Sequence, residues 1–304
     1  MKTDELVSGR DKQPEEQTRW MGCLEALFAR RVNFREEFYS QYPPDIDEFG
    51  FSISTIRQWQ PFFQFLYEGY FEVNMVGLEN IPKDGRAILI GNHSGVIPMD
   101  AFMTFTGLIL HHPQPRRVRF LAHHFLRCSP CLRHLICGFG GVPASYTVAK
   151  RLLENEELVF FYPEGARGTG KPFRNRYHLC EFDSGFVKAA IETGSPIIPI
   201  TTVGGDEIYP LLGNLRAVAR LLETPYWPIT PTFPWLPFFA SCIPLPVKFL
   251  IEIGKPVYLD YEPEKSCDRQ LRKQLAHQFQ GTIQAELNRL LKKRQSMFTA
   301  WKEF

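Results

Sequence analysis

The chain has 304 residues, 44% of them apolar, which is enough for one large domain with helical extensions. Its 35 basic and 33 acidic residues nearly cancel, which argues against a dedicated nucleic-acid-binding protein. Seven cysteines without the spacing of a small disulfide framework, and a polar start without a signal-peptide pattern, predict a reduced, cytoplasmic protein. No apolar run is both long enough and free enough of proline for a membrane-spanning helix.

Residues 1–70 are predicted to form a helical extension. After a polar start, an amphipathic helix is expected from Thr18, with apolar residues on one face and arginines elsewhere. The segment 42–45 contains two prolines and ends this helix. A second helix is expected to begin at Ser54, as its N-cap, and to continue through Tyr67.

Residues 71–262 show apolar strands that alternate with helices. This pattern is typical of an α/β fold in which helices flank a mainly parallel sheet on both faces. Strands are predicted at 71–76, 87–90, 117–121, 158–162, 196–203 and 247–253, and helices at 126–137 and 186–193.

Residues 263–304 are predicted to contain one amphipathic helix that starts at about Asp268. Apolar side chains recur at four-residue steps, and the helix ends in a basic run, 292–294, whose charge suits the C-terminal end of the helix dipole. The apolar residues are Leu271, Leu275, Phe279, Ile283, Leu287 and Leu291.

A histidine and an aspartate follow the predicted strand 87–90. His93 comes soon after the strand, and Asp100 lies seven residues further along, beyond Pro98. A histidine that has one ring nitrogen held by a carboxylate can act as a general base in the correct tautomer. Such a pair also occurs by chance, and Asp100 would then cap a helix while His93 would be a hydrogen-bonded structural residue.

A second polar segment, 164–168, follows the predicted strand 158–162. It contains Glu164, two glycines and Arg167. It therefore brings backbone N–H groups and a guanidinium to the carboxyl edge of the sheet, where α/β proteins bind ligands. Arginine can hold a phosphate through two parallel hydrogen bonds. Together, the two segments predict a site that deprotonates a hydroxyl and binds an anionic head group.

These two segments, with three others in order, resemble the glycerolipid acyltransferase family. Its members transfer acyl groups from acyl-CoA or acyl carrier protein to glycerophosphate and lysophospholipids. The resemblance covers about residues 70–260. This chain departs from the usual family pattern in one spacing, because six residues separate His93 from Asp100 where the pattern has four. The matching segments are 92–95 with Asp100, 140–145, 161–168, 196–200 and 253–257.

The resemblance implies a reaction and a set of site residues. His93 would take the proton of an acceptor hydroxyl, Asp100 would orient the imidazole, and the alkoxide would attack the thioester directly. Glu164 would either contact an acceptor hydroxyl or accept backbone N–H bonds within its own turn. The substrate-binding residues would be Ser94, Gly95, Glu164, Gly165, Arg167 and Lys171.

The resemblance implies no cofactor and no metal, and acyl-CoA or acyl carrier protein would be the co-substrate. It leaves three acceptors open, namely glycerol-3-phosphate, a lysophospholipid and diacylglycerol. Acyl chain length and oligomeric state also stay open, because they depend on pocket shape and surfaces outside the motif residues.

Two other motifs suggest rival functions. Residues 165–171 match the first seven positions of a phosphate-binding loop, but position eight is Pro172, which has neither the hydroxyl that binds magnesium nor a backbone N–H. Three cysteines and a histidine at three-residue steps in 128–137 resemble a zinc cluster. Such steps on one helix rotate the ligands apart, so buried reduced cysteines are favoured.

Residues 226–247 contain no charged residue and six prolines, four of them at the three-residue steps of a polyproline II helix. Aromatic residues interleave with the prolines. This favours a loop that enters the membrane interface over a partner-binding ligand or an ordinary packed loop. We therefore expect a peripheral protein that contacts lipids at the cytoplasmic face of a membrane. The alternative to an enzyme is a non-catalytic lipid-binding protein with the same fold.

Overall fold

Most of the predicted helix that starts at Thr18 lies outside the described part of the chain, and so do Ser94 and Gly95. The described end of that prediction contains the short helix Glu36–Ser40. The computed structural model describes residues 35–43, 46–93, 97–122, 130–221 and 226–299.

Within these residues, seven strands form one sheet and two short strands form another. The large sheet has the order β1-β9-β6-β2-β5-β3-β4, and its neighbouring strands are parallel except for the antiparallel pair β6 and β9. The mainly parallel sheet is therefore confirmed. The strands are β1 (Asn74–Val76), β2 (Ala87–Gly91), β3 (Val118–Ala122), β4 (Gly141–Pro143), β5 (Leu158–Phe161), β6 (Ile197–Val203), β7 (Gly213–Asn214), β8 (Pro228–Ile229) and β9 (Leu250–Ile253).

Helices cover both faces of the large sheet. The described helices are α1 (Glu36–Ser40), α2 (Ile53–Phe65), α3 (Met99–His111), α4 (Pro130–Gly138), α5 (Tyr146–Glu154), α6 (Ala166–Thr169), α7 (Gly185–Thr193), α8 (Gly205–Ile208), α9 (Arg216–Leu221), α10 (Phe238–Ser241) and α11 (Arg269–Lys293). One core lies between the sheet and α2, α3 and α4, and the other lies between the sheet and α5, α7 and α11.

Strand β2 shows why the sequence gives this layered arrangement. All five of its residues are buried, and it lies between β5 and β6 in the sheet. Its side chains alternate between the two cores: Ala87 and Leu89 enter one, and Ile88 and Ile90 enter the other. A continuous apolar run is the pattern of a strand that is covered on both faces.

Helix α2 begins earlier than predicted. Its N-cap is Ser52, whose Oγ accepts a hydrogen bond from the Thr55 backbone N–H at 3.2 Å, so the prediction of Ser54 as the N-cap is wrong. The chain then continues through a π-helical turn, Leu66–Tyr70, and β1 starts only at Asn74. The residues just before β1 are still bonded to the π-helical turn, because the Val73 N–H donates a hydrogen bond to the Tyr67 carbonyl oxygen at 2.8 Å.

The proline-rich segment does not form a continuous polyproline II helix. Its start, β8, pairs with β7, and α10 follows it. The Thr230 N–H donates to the Phe233 carbonyl and the Leu236 N–H to the Thr232 carbonyl, both at 2.9 Å, whereas a polyproline II helix has no internal hydrogen bonds. Among the described helices, none is both long and apolar enough to cross a membrane.

Candidate active site

Three neighbouring parallel strands, β5, β2 and β6, end at the same edge of the sheet. Each is followed by polar residues, which include His93 after β2, Glu164 after β5 and Asp206 after β6. The side chain of Asn92 fixes the end of β2 to β6, because its amide exchanges two hydrogen bonds, of 2.8 and 2.9 Å, with the backbone of Thr202. This edge is where α/β folds place ligands.

The structure brings His93 and Asp100 together. Helix α3 begins after Pro98, and this places Asp100 in its first turn, where its carboxylate is 1% exposed. Oδ2 of Asp100 lies 3.0 Å from Nδ1 of His93, and Oδ1 accepts the backbone N–H of Ala101. Since Nδ1 is held by the carboxylate, Nε2 is the ring nitrogen that is left to exchange a proton with a ligand.

An aromatic ring fixes the plane of the imidazole. The ring of Tyr162 stacks on that of His93 with 4.0 Å between centroids and 23° between planes, and Phe160 stacks behind Tyr162. Burial, with the nearby Asp100 charge, raises the pKa of Tyr162 well above its ordinary value. Its hydroxyl oxygen is buried and has no hydrogen-bond partner among the described residues. Sequence reasoning did not single out Tyr162, because its contact with His93 depends on the pairing of β5 with β2.

Glu164 joins the segment after β2 to the segment after β5. Its Oε1 accepts the His93 backbone N–H at 3.1 Å, and its Oε2 accepts the Cys180 backbone N–H at 2.7 Å and lies 3.3 Å from Nζ of Lys171. Of the two roles expected for Glu164, these contacts match the acceptance of backbone N–H bonds, but they reach beyond its own turn. The carboxylate thereby fixes the backbone that carries the imidazole.

Lys171 lies within this buried network. Its side chain is 6% exposed, and its ammonium is 3.3 Å from Glu164 and 3.8 Å from Asp206. Burial alone would lower the pKa of Lys171, but the charges of Asp206 and Glu164 raise it. Lys171 does not line the cavity beside His93. The resemblance implies that Lys171 binds substrate, and this stays a prediction; in the structure its ammonium has two carboxylate partners.

Asp206 is the third charged member of the network, and sequence reasoning missed it. It follows an apolar strand as His93 and Glu164 do, so the same pattern could have found it. Its Oδ2 accepts the Tyr177 backbone N–H at 2.7 Å. Burial raises the pKa of Asp206 to about 6, although Lys171 and the Tyr177 hydrogen bond act in the opposite direction.

The turn after β5 depends on two glycines. Gly165 has φ 57° and ψ −148°, a region that only glycine adopts readily, and the short helix α6 starts after it. A Cβ atom at Gly168 would lie 3.0 Å from the His93 carbonyl oxygen and 2.9 Å from the Glu164 Cβ. The absence of a side chain at Gly168 therefore lets this turn pack directly against the backbone of His93.

Arg167 is exposed on the same turn. One of its Nη atoms donates a hydrogen bond to the Glu181 carbonyl oxygen at 2.8 Å. Ser94 and Gly95 lie outside the described residues, so their predicted role in substrate binding stays a prediction. The structure thus brings His93, Asp100 and Glu164 together and leaves Arg167 at the surface.

A cavity of about 400 Å³ opens beside His93. This volume lies within the range of about 300–1,000 Å³ that is usual for small-molecule sites. His93 and Tyr162 border the cavity, and its walls are mostly apolar. The apolar lining includes Ile97, Ala101, Phe102, Phe120, Leu121, Ala122, Ile136, Phe139, Phe161 and Phe186.

In the described residues, no group of three or more histidine, cysteine, aspartate or glutamate side chains could hold a metal ion. The expected cysteine and histidine cluster lies only partly within those residues. Its members His134 and Cys137 are on α4, where Cys137 is a free, half-buried thiol.

Comparison with known proteins identifies the family. Residues 72–203 match a family model described as Acyltransferase. An uncharacterised protein of Mycobacterium tuberculosis is 39% identical over 259 residues, which cover 83% of this chain and 71% of that protein. The chain therefore belongs to the acyltransferase family, and the resemblance found in the sequence is confirmed.

Two further similarities are to proteins whose own names refer to lipid synthesis. A human protein named DGAT1/2-independent enzyme synthesizing storage lipids is 26% identical over 224 residues, which cover 74% of this chain and 62% of that protein. The crystal structure of the 1-acyl-sn-glycerophosphate acyltransferase PlsC from Thermotoga maritima matches with a TM-score of 0.50 and 22% identity, covering 91% of this chain and 90% of that one. This structural match supports the fold alone.

Proposed function

We propose that the protein is an O-acyltransferase that moves a fatty acyl group from a thioester to a hydroxyl group of a glycerolipid. The observation that carries the proposal is the position of His93. Its ring borders an apolar cavity, and Nδ1 lies 3.0 Å from the buried Asp100 carboxylate. A base that is oriented in this way beside an apolar cavity suits a reaction between a hydroxyl and a fatty acyl donor.

In this mechanism, Nε2 of His93 accepts the proton of the acceptor hydroxyl as its oxygen attacks the thioester carbonyl carbon. The tetrahedral intermediate then collapses and the carbon–sulfur bond breaks. The imidazolium returns the proton to the departing thiolate. The Asp100 carboxylate stabilises the imidazolium between these two steps and keeps the ring in one tautomer. No covalent acyl-enzyme is required.

The cavity would hold the acyl chain of the donor. Its aliphatic and aromatic walls would replace water around the chain, and burial of apolar surface is favourable. The polar part of the substrate would lie at the turn after β5, where the Gly165 backbone faces the cavity and the Arg167 guanidinium is exposed. Arginine can bind a phosphate or another anionic head group there.

The donor in this proposal is acyl-CoA or acyl carrier protein, and the acceptor is a lysophospholipid, a glycerophosphate or diacylglycerol. His93, Asp100 and the backbone supply all the groups that the proposed steps need, so we propose no metal and no further cofactor. We also propose that the protein works as a peripheral protein at the cytoplasmic face of a membrane, where lipid acceptors are present.

The test is acyl transfer from labelled palmitoyl-CoA and oleoyl-CoA, and from the corresponding acyl carrier proteins, to a panel of acceptors. The panel contains glycerol-3-phosphate, lysophosphatidic acid, lysophosphatidylcholine and diacylglycerol. We expect the wild type to form an esterified product with one donor class and His93→Ala to form almost none. Lipid binding by the wild type without turnover of any pair would instead support the non-catalytic lipid-binding alternative.

A further inference from the structure

Large apolar side chains are exposed at high frequency along the segment between β6 and β9. Of the twelve that are exposed in the described part of the chain, six fall within residues 212–243, and Leu221 and Trp235 are 81% and 70% exposed. Exposed apolar side chains that are scattered singly need no explanation, whereas a concentration of them marks an interaction surface. We call the part of the surface that these six side chains form the 212–243 surface, and its members are Leu212, Leu215, Leu221, Trp235, Leu236 and Ile243.

Hydrogen bonds hold the backbone that presents these side chains. The Leu212 N–H donates to the Ile229 carbonyl at 2.8 Å, and the Leu215 N–H donates to the Trp227 carbonyl at 3.0 Å. These two hydrogen bonds lie on either side of the pairing of β7 with β8. The Leu236 N–H donates to the Thr232 carbonyl at 2.9 Å. The side chains of Leu212, Leu215 and Leu236 are therefore displayed on a hydrogen-bonded scaffold.

The scaffold is fixed to the domain near both ends. The Tyr209 hydroxyl donates to the Cys242 carbonyl at 2.6 Å, and the Leu245 N–H donates to the Ile208 carbonyl at 2.9 Å. These bonds bring the end of the segment back to its start beside β6. The segment is thus attached near the edge of the sheet that carries the candidate active site.

The charge of this segment suits an anionic surface. Between residues 208 and 247 the sequence contains two arginines, Arg216 and Arg220, and a single acidic residue, Glu223. Both arginines belong to α9, and the exposed Arg220 directly precedes the exposed Leu221. Apolar and aromatic side chains next to cations are the combination that binds the headgroup region of membranes.

The 212–243 surface is also continuous along the chain with the cavity. Tyr226 lines the cavity with His93, and a Cβ atom at Gly170 would lie 3.1 Å from its ring. The next residue, Trp227, packs against Phe233 with 5.5 Å between ring centroids. A membrane that covered the surface would therefore lie next to one wall of the cavity.

We propose that the 212–243 surface docks the protein on a lipid bilayer, with its apolar side chains inserted at the boundary between head groups and acyl chains. This docking proposal rests on the proposed function in one respect, because an enzyme that acts on lipid substrates has to reach them at a membrane. The orientation would bring the cavity to the membrane and let a lipid pass between them without crossing water.

The experiment measures binding of the full chain to vesicles by co-sedimentation. The vesicles are made of phosphatidylcholine, alone or with phosphatidylglycerol as the anionic lipid. The surface variant is Leu221→Ser with Trp235→Ser, and the matched control is Ile46→Ser with Phe298→Ser. The control residues are 63% and 55% exposed and lie outside the surface, so each variant removes two exposed apolar side chains.

We expect the surface variant to bind vesicles at least about tenfold more weakly than the wild type, since each large apolar side chain contributes to insertion. The control variant should bind like the wild type, and phosphatidylglycerol should strengthen vesicle binding of the control variant and of the wild type. Equal binding of the surface variant and the wild type, or no binding of the wild type, would overturn the proposal. The proposal would also be overturned if the wild type formed a concentration-dependent dimer that the surface variant did not form, while both bound vesicles equally. The surface would then join two copies of the chain.

Acyl transfer to a short-chain, water-soluble acceptor separates this proposal from the proposed function. The surface variant should keep that activity, because neither substituted residue lines the cavity. Vesicle binding that depends on the surface, in a protein without any transfer activity, would support the docking surface and contradict the proposed enzyme. If the protein transfers acyl groups and the surface variant binds vesicles as well as the wild type does, the proposed enzyme is supported and the docking surface is contradicted.

Discussion

The substitution Asp206→Asn should change how the stability of the protein depends on pH. Asp206 is buried beside Lys171, and its pKa rises from 3.8 to about 6 because burial disfavours the charged carboxylate. Between these two pH values the folded state holds a proton that the unfolded state has released. The stability contributed by this proton is fully present below about pH 4 and is lost as pH rises through about 6.

The magnitude follows from the size of the shift. A shift of about two pKa units corresponds to about 3 kcal/mol over the full titration, and about 1 kcal/mol of it falls between pH 5 and pH 7. The variant has no ionisable group at position 206, and its Oδ1 could still accept the Tyr177 backbone N–H. We therefore expect the wild type to lose about 1 kcal/mol more stability than Asp206→Asn over this range.

Urea unfolding of both proteins at pH 5 and pH 7 measures this difference. The exposed Asp260→Asn serves as the matched control, because it removes a carboxylate that is accessible to water. The control should follow the wild type at both pH values. An identical pH dependence for the wild type and Asp206→Asn would refute the reasoning, because it would mean that the buried carboxylate titrates alike in the folded and unfolded chains.

Three substitutions around the imidazole and the cavity have separate expected outcomes. Gly168→Ala places a Cβ atom 3.0 Å from the His93 carbonyl oxygen, so kcat should fall about tenfold or more while the far-ultraviolet spectrum stays unchanged; an unaltered kcat would contradict this. Tyr162→Phe removes a buried hydroxyl that has no partner among the described residues, so it should raise the free energy of unfolding by about 1 kcal/mol. A lower free energy of unfolding would mean that the hydroxyl forms a stabilising hydrogen bond. Ala122→Phe fills part of the cavity, so acyl transfer should shift to shorter donors, and unchanged chain-length preference would place the acyl chain elsewhere.

The central sheet could be predicted because its strands are covered on both faces. Runs such as 87–90 and 158–162 are continuously apolar, and this pattern survives without knowledge of which strands are neighbours. The pairing of His93 with Asp100 was also accessible, since the two residues are close in the chain and the start of α3 brings them together. Local sequence was sufficient for the strands, whereas the His93–Asp100 pair also needed the family resemblance, because such a pair can occur by chance.

Contacts between distant segments were not accessible in the same way. Tyr162 stacks on His93 because β5 lies beside β2, and the strand order cannot be read from either segment alone. The resemblance implied that Lys171 binds substrate, and it gave no sign that Asp206, after a third strand, lies 3.8 Å from the buried Lys171 ammonium. Charge and local spacing do not indicate whether a side chain faces solvent or a buried partner.

The central claim is that His93 is the general base of acyl transfer, and its most direct test is kcat for wild type and His93→Ala with the best donor and acceptor. General base catalysis contributes roughly 10²- to 10⁴-fold, so we predict a loss of that size, with the variant still folded as judged by its melting temperature. Equal kcat values for a folded His93→Ala protein and the wild type would contradict the claim and place the base elsewhere.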